Sequence, residues 1–464
     1  MDKKKILRNI PSVDKVLKWQ EIKESLEVLG QTHVTTVVRD HIEDYRKRLL
    51  AGEKLEADHL KKSILREIQD LISPYFCRAV NGLGIVLHTG LGRAPFNERI
   101  ASIVHDMSKG YSRLQIDEEG KRADRYRKIS RLLQILTGAE AGIIVNNNAA
   151  ATMLVLSAMA KGKEVIVSRG QLIEIGGSYR IPDVMAQSGA IMREVGTTNR
   201  THLRDYKEAI NENTGALLRV HQSNYRIIGF TKEVSLAELV ELGRKHNIPV
   251  IDDLGSGALI DLSKYGLPKE PMVQESIAAG ADIACFSGDK LIGGPQCGII
   301  VGKRQYVERI KKNPLTRALR CDKLTNAVLE GTLQLFLLKE NDLIINHSVL
   351  GVLLKPLAEI KRQARHCAKA LRTDLSADLD VSVIQSVSEI GGGSLTTEQL
   401  PTYAVAVKPK TLSVSDLARA LRLCRIPVYG RVAEDTLLLD FRTVLKGENE
   451  IIVEAFTSIL KPKQ

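Results

Sequence analysis

The sequence predicts an α/β protein, with a large domain on a mostly parallel sheet, an all-helical module before it and a small α+β domain after it. Three observations carry this. Over residues 1–75 apolar residues recur at three- and four-residue spacing, and no strand pattern interrupts them. From about 80 to 335, short β-rich runs alternate with helix-length segments, the pattern of strands buried on both faces and joined by helices. After about 336 a long helical pattern gives way to short strands and a terminal helix. The boundaries are therefore drawn at 1–75, 76–335 and 336–464.

In the first module the apolar positions run Ile6, Ile10, Val13, Leu17, then Val34, Val37, Val38, Ile42, Tyr45, Leu49, then Ile64, Ile68, Leu71. Thr32 is the expected cap of the second helix, and Gly52 follows its last turn. In the large domain the strands are expected at Glu164–Ser168, Ala190–Val195, Ala216–Val220, Pro249–Asp253, Asp282–Ser287 and Gly298–Gly302. Beyond it a helix is expected from Val349 to Leu371, with strands at Tyr403–Val407 and Leu437–Asp440.

Composition excludes several classes. With 44% hydrophobic and 26% charged residues over 464 positions, the chain is neither disordered nor fibrous. The net charge of +12 favours an anionic partner, with phosphates first among the choices. The 1–76 segment is nearly balanced, with 15 Lys and Arg against 13 Asp and Glu. Charge returns at Arg8 before any secretion signal forms, and the most apolar stretch, Ala149 to Ala160, is too short to span a bilayer. The six cysteines (77, 285, 297, 321, 367, 424) are scattered without a C-x-x-C pair. No metal site or disulfide framework is expected, and a reducing cytoplasm fits.

Ligands of such sheets bind beyond the carboxyl ends of the strands. Three features fall there. Asn146-Asn147-Asn148 opens a long apolar helix, whose free N–H groups suit a phosphate. Asp252-Asp253 ends a buried strand, where an Asp serves as a metal ligand, as a partner of a protonated ring nitrogen, or simply as a loop cap. Lys290 stands in the Gly-rich turn Ser287–Pro295 at the end of the following strand, a crowded place for a Lys that neither pairs nor reacts. Together the three describe pyridoxal phosphate (PLP) chemistry: the Lys forms the Schiff base, the Asp keeps the pyridine nitrogen protonated, and the helix anchors the phosphate.

The wording of the blocks goes further. Val86-Leu87-His88-Thr89-Gly90-Leu91-Gly92-Arg93-Ala94, Ile144 to Ala150, Ser168-Arg169-Gly170, Glu174-Ile175-Gly176-Gly177, Gly196-Thr197-Thr198-Asn199-Arg200-Thr201, Asp253-Leu254-Gly255-Ser256-Gly257 and Phe286 to Leu291 resemble the bacterial selenocysteine synthases. These are L-seryl-tRNA(Sec) selenium transferases of fold type I among PLP enzymes. The resemblance runs over nearly the whole chain. It implies that Lys290 carries the PLP, that Asp253 rather than Asp252 faces the ring nitrogen, and that Asn146, Asn147, Asn148 and Ser287 surround the cofactor phosphate. It also implies that Arg93, Arg317 and Arg320 hold selenophosphate. By the same resemblance, seryl-tRNA(Sec) is expected to become selenocysteinyl-tRNA(Sec) through an aminoacrylyl-tRNA on PLP, in a homodecamer built of dimers, with residues 1–75 expected to bind the tRNA.

The residues themselves support the arginines in part. Between Lys303 and Lys323 eight Lys and Arg face only Glu308 and Asp322, and Arg317 and Arg320 share a face if their segment is helical. A solvated basic face is the plain alternative. The run from Lys121 to Arg131 reads as solvated surface, and His88 and His221 receive no role. Two rival functions stay open from sequence: a related PLP lyase of a small amino or sugar acid, and a basic RNA-binding protein with a decayed site.

Overall fold

The computed structural model describes residues 10–56, 58–177, 179–394 and 398–461. The chain divides into two compact units, Met1–Arg78 and Ala79–Gln464.

The first unit is helical among its described residues, with helices at Val13–Val16, Gln20–Leu26, Gln31–Leu50 and His59–Ile72. Its core gathers Val16, Ile22, Val34, Val38, Ile42, Leu60, Ile64 and Ile68, which the 3.6-residue period places on facing stripes. Ile6 of the expected pattern lies outside the described residues. Thr32 is not the cap of the long helix. The helix starts one residue earlier behind Gly30, whose extended backbone serves as N-cap, and Thr32 sits in the first turn with its carbonyl accepting from Thr36 Oγ1 at 3.0 Å.

The second unit carries fourteen described strands: β1 (Val80–Gly82), β2 (Ala141–Val145), β3 (Glu164–Ser168), β4 (Glu174–Ile175), β5 (Tyr179–Arg180), β6 (Ile191–Val195), β7 (Thr214–Val220), β8 (Val250–Gly255), β9 (Ile283–Ser287), β10 (Gly298–Gly302), β11 (Leu379–Glu389), β12 (Gln399–Pro409), β13 (Val428–Ala433) and β14 (Thr436–Asp440). Seven form one sheet in the order β2-β10-β9-β8-β7-β3-β6. The pairs among β9, β8, β7, β3 and β6 are parallel, whereas β10 is antiparallel to both of its neighbours. β2, β9 and β10 are buried along their whole length, as strands covered on both faces must be. Ile143, Leu154, Leu218, Ile251, Phe286 and Ile299 belong to the core around them.

The reversal of β10 matters for the site. Sequence reading expects a helix-length segment between successive strands. Instead, residues 288–297 form a loop that turns the chain straight back, with Gly298 opposite Ser287. Gly288 N–H donates to Cys297 O at 2.8 Å, and Gly294 N–H donates to Gly288 O at 2.8 Å. Lys290 rides on this turn.

The second sheet has the order β1-β13-β14-β12-β11. Its core includes Leu371, Leu375, Val405, Val407, Leu439 and Phe456. Because β1 precedes the large sheet in the chain, this sheet is built from both ends of the unit. The single helix expected over Val349–Leu371 is two, Ser348–Leu353 and Leu357–Leu375. Pro356 separates them: proline disfavours helical geometry in the residue before it and cannot donate into a helix. Lys355 at the break instead donates its Nζ to Phe441 O and Val444 O, each at 3.0 Å.

Candidate active site

The carboxyl ends of β2, β7, β8 and β9 converge on one cluster. The helix Asn148–Ala160 follows β2 directly, and Asn147 caps it, its side chain accepting from Ala150 N–H at 2.8 Å. The amides of Asn148 and Ala149 sit in the first turn, where no intrahelical acceptor exists. Gly298 lets β10 pass beside this turn: a Cβ there would lie 2.1 Å from Asn147 O. Asn146 is held by its backbone, donating N–H to Leu319 O at 2.9 Å.

Alternation along β8 sends its two carboxylates to opposite sides. Asp252, fully buried, accepts from Arg219 Nη1 at 2.9 Å and from Ser276 Oγ at 2.6 Å. Asp253 turns to the helix Asn148–Ala160 instead. Its Oδ1 accepts from Asn148 Nδ2 at 2.9 Å and from Gly255 N–H at 3.0 Å, and its Oδ2 from Thr152 Oγ1 at 2.7 Å. Burial pushes the Asp253 pKa up, and these three donors pull it back only in part. Among the described residues, no Lys or Arg lies within ion-pair distance of it. A buried carboxylate surrounded by neutral donors is a place suited to a cation.

Lys290 is 5% exposed. Burial lowers its pKa, the nearby Arg93 guanidinium lowers it further, and Asp289, Asp253 and Glu270 oppose the shift. Its amine is therefore readier than an ordinary Lys to act as a nucleophile. Gly393, at φ 70°, closes over it from the other end of the unit: a Cβ there would lie 3.6 Å from Lys290 Nζ and 3.7 Å from Ser223 Oγ. Ser287 is buried at the end of β9.

Arg93 enters on a residue of left-handed backbone, φ 62°. Such a conformation costs a residue with a Cβ roughly 1–2 kcal/mol. Its Nη1 donates to Asp289 Oδ2 at 2.7 Å, beside Lys290. Arg93 Nε is buried with no partner among the described residues. Arg317 and Arg320 do not share a helix face. The helix Leu315–Ala318 ends before Arg320, and both side chains are exposed. Their turn is nonetheless tied to the cluster, because Leu319 between them accepts the Asn146 amide. Arg125, in the run read as solvated, donates to Cys321 O at 3.2 Å and Gln115 Oε1 at 3.1 Å.

The sequence reading does not name Thr152 or Glu270 as part of the cluster and gives His221 no role. Thr152 had a signal, since it stands four residues after Asn148 and hence on the same helix face. His221 donates its backbone N–H to Asp253 O at 2.8 Å, and its ring pKa falls to about 4, first through burial and then through Arg219, Lys290 and Arg226. Glu270 lies in a loop that no pattern marks.

These residues fit PLP. An open helix start, a buried carboxylate with no Lys or Arg in ion-pair distance among the described residues, a buried amine and the buried, unpartnered Asn148 Oδ1 and Arg93 Nε match the phosphate, ring nitrogen and aldehyde of such a group. No helix among the described residues is long and apolar enough to cross a membrane.

Comparison with known proteins agrees with this geometry. Residues 79–445 match the model of the family "L-seryl-tRNA selenium transferase", and residues 7–46 match "Selenocysteine synthase N terminal". The chain is 47% identical over 472 residues to the L-seryl-tRNA(Sec) selenium transferase of Alkaliphilus oremlandii, covering 99% of this chain and 100% of that one. It is 48% identical over 449 residues to the enzyme so named in Carboxydothermus hydrogenoformans, covering 96% of each. Among solved structures, a D-glucosaminate-6-phosphate ammonia-lyase superposes with a TM-score of 0.55 at 19% identity, over 84% of this chain and 97% of that one. That likeness concerns the fold.

Proposed function

The chain belongs to the L-seryl-tRNA selenium transferase family, and on that premise we propose that it converts L-seryl-tRNA(Sec) to L-selenocysteinyl-tRNA(Sec) with selenophosphate as donor. The observation that carries the reading is the cluster of Lys290, Asp253 and the Asn147-capped helix start within a family of PLP enzymes.

Lys290 would hold the cofactor aldehyde through its ε-amine, Asp253 its ring nitrogen, and the Asn146–Asn148 turn with Ser287 its phosphate. PLP supplies, when bound, a sink for the electron pair left at the α-carbon. Asn148 and Thr152 fix the Asp253 carboxylate so that both of its oxygens stay placed. Lys290 would also be the base that takes the α-proton through its ε-amine, and its lowered pKa suits that task. Loss of the β-hydroxyl precedes addition of selenium at the same carbon. Arg93, Arg317 and Arg320 bind the donor, since guanidinium forks match a phosphate-like dianion. Asp289 orients Arg93. The first unit reads the tRNA body, because the serine itself is common to every seryl-tRNA, and assembly into a decamer of dimers follows family membership.

The test is product analysis with two tRNAs. The purified protein with selenophosphate should yield selenocysteine on seryl-tRNA(Sec) and none on seryl-tRNA(Ser). Equal conversion of both, or of neither, overturns the reading.

A further inference from the structure

The departure of the β-hydroxyl is a step for which no residue has yet been assigned. A serine hydroxyl is a poor leaving group, and Lys290 is occupied with the α-proton when the hydroxyl departs. A second acid beside Lys290 would spare it that proton transfer.

Glu270 is a buried carboxyl in that neighbourhood. Its side chain is 5% exposed, within electrostatic reach of Lys290 and Arg226. Ser256, three residues beyond Asp253, donates its Oγ–H to Glu270 Oε1 at 2.6 Å. The Ser256 bond occupies Oε1, so Oε2 is the oxygen on which a proton would sit. Burial is the dominant influence on the carboxyl and raises its pKa, against the Ser256 bond and the two cations. His221 Nε2 stands 3.7 Å from Oε1, too far for a hydrogen bond, and its own low pKa keeps the ring neutral, so the two form no ion pair at pH 7. The turn that starts at His221 also runs past Lys290, with Ser223 Oγ and Lys290 Nζ flanking the same point above Gly393.

We propose that Glu270 is the general acid that protonates the departing β-hydroxyl. The inference rests on the function proposed above. The α-C–H electron pair becomes the new carbon–carbon π bond, and the α-proton stays on Lys290. The β-C–O bond breaks with its pair on oxygen, which takes the proton from Glu270 Oε2 and leaves as water. Glu270, now a carboxylate, regains its proton from solvent between turnovers.

The holoenzyme tests this with two tRNA(Sec) esters, seryl and β-chloroalanyl, since chloride leaves without a proton. Glu270→Gln should slow elimination from the seryl ester by roughly 10²–10⁴-fold and from the β-chloroalanyl ester only a few-fold. Equal slowing of both esters overturns the proposal in favour of a structural role. In the unaltered enzyme, seryl elimination should fall at high pH relative to β-chloroalanyl elimination as Glu270 ionises among Lys290, Arg226 and His221. Parallel pH profiles overturn it as well. The infrared difference spectrum between parent and Glu270→Gln, taken at neutral pH without substrate, should contain a carboxylic-acid C=O stretch, and its absence is a third contradiction. An unaltered enzyme inert on both esters, with that stretch present, overturns the proposed function and not the protonation of Glu270.

Discussion

Asn148 donates its side-chain amide to Asp253 Oδ1 at 2.9 Å, joining the start of a helix to the end of a strand 105 residues away. Thr152, one turn further along the helix, takes the other carboxylate oxygen at 2.7 Å. The element that would offer amides to a phosphate thus also sets the angle of the carboxylate that would face a ring nitrogen. Two ends of one cofactor would be held by one helix.

Exchange of the carboxylates separates their roles. Asp253→Asn should leave the fold intact and slow α-proton removal by roughly 10²–10³-fold, because an amide cannot hold the ring nitrogen protonated. Asp252→Asn should act on stability instead, by about 3 kcal/mol, because it strands the Arg219 guanidinium in a largely buried place. Denaturant melts and α-deuterium exchange on each variant decide between the two.

Arg93 and Asp289 make a prediction about pH. Arg93 lowers the Lys290 pKa, and Asp289 raises it. Arg93→Gln removes the cation and leaves the Asp289 carboxylate unpaired, so both changes favour the ammonium form. The amine should therefore become reactive only at higher pH than in the parent. Borohydride trapping of PLP by the cofactor-free protein across a pH series should move to higher pH, and a move to lower pH contradicts the electrostatic account.

Lys290→Ala should abolish turnover and the visible absorbance of the bound cofactor while tRNA(Sec) binding survives. The side chain is buried in the cluster and is not part of the apolar core, so its loss leaves the fold standing. Turnover near the parent rate contradicts the assignment.

Removal of residues 1–78 should leave a PLP-loaded protein, because every residue of the cluster lies between Arg93 and Gly393. Binding of tRNA(Sec) should weaken greatly. The deleted segment is nearly neutral, so the lost contacts should depend on salt less steeply than those of a basic arm. Filter binding of the full and shortened chains at several salt concentrations measures both effects.

Lys290 and the two Asp residues were legible in the sequence because a buried apolar run that ends in a charge marks itself, and alternation then tells the neighbours apart. Strand direction was not. β9 and β10 are equally apolar on either heading, so the turn that carries Lys290 read as an interval between parallel strands. The Asn146–Asn148 cluster was read as a cap, which Asn147 is, whereas the reach of Asn148 to Asp253 depends on how a helix lies on a sheet. Arg317 and Arg320 share a turn held by Asn146 and not a helix face, since the helix ends at Ala318. Glu270 left no trace, because its partner Ser256 lies fourteen positions away across a loop of no regular pattern.

The central claim is that Lys290 is the residue that holds PLP. Borohydride reduction of the PLP-loaded protein, followed by peptide mass spectrometry, tests it most directly. The account predicts a phosphopyridoxyl group on the peptide that contains Lys290 and on no other. The same group on a different lysine, with Lys290 unmodified, would contradict it.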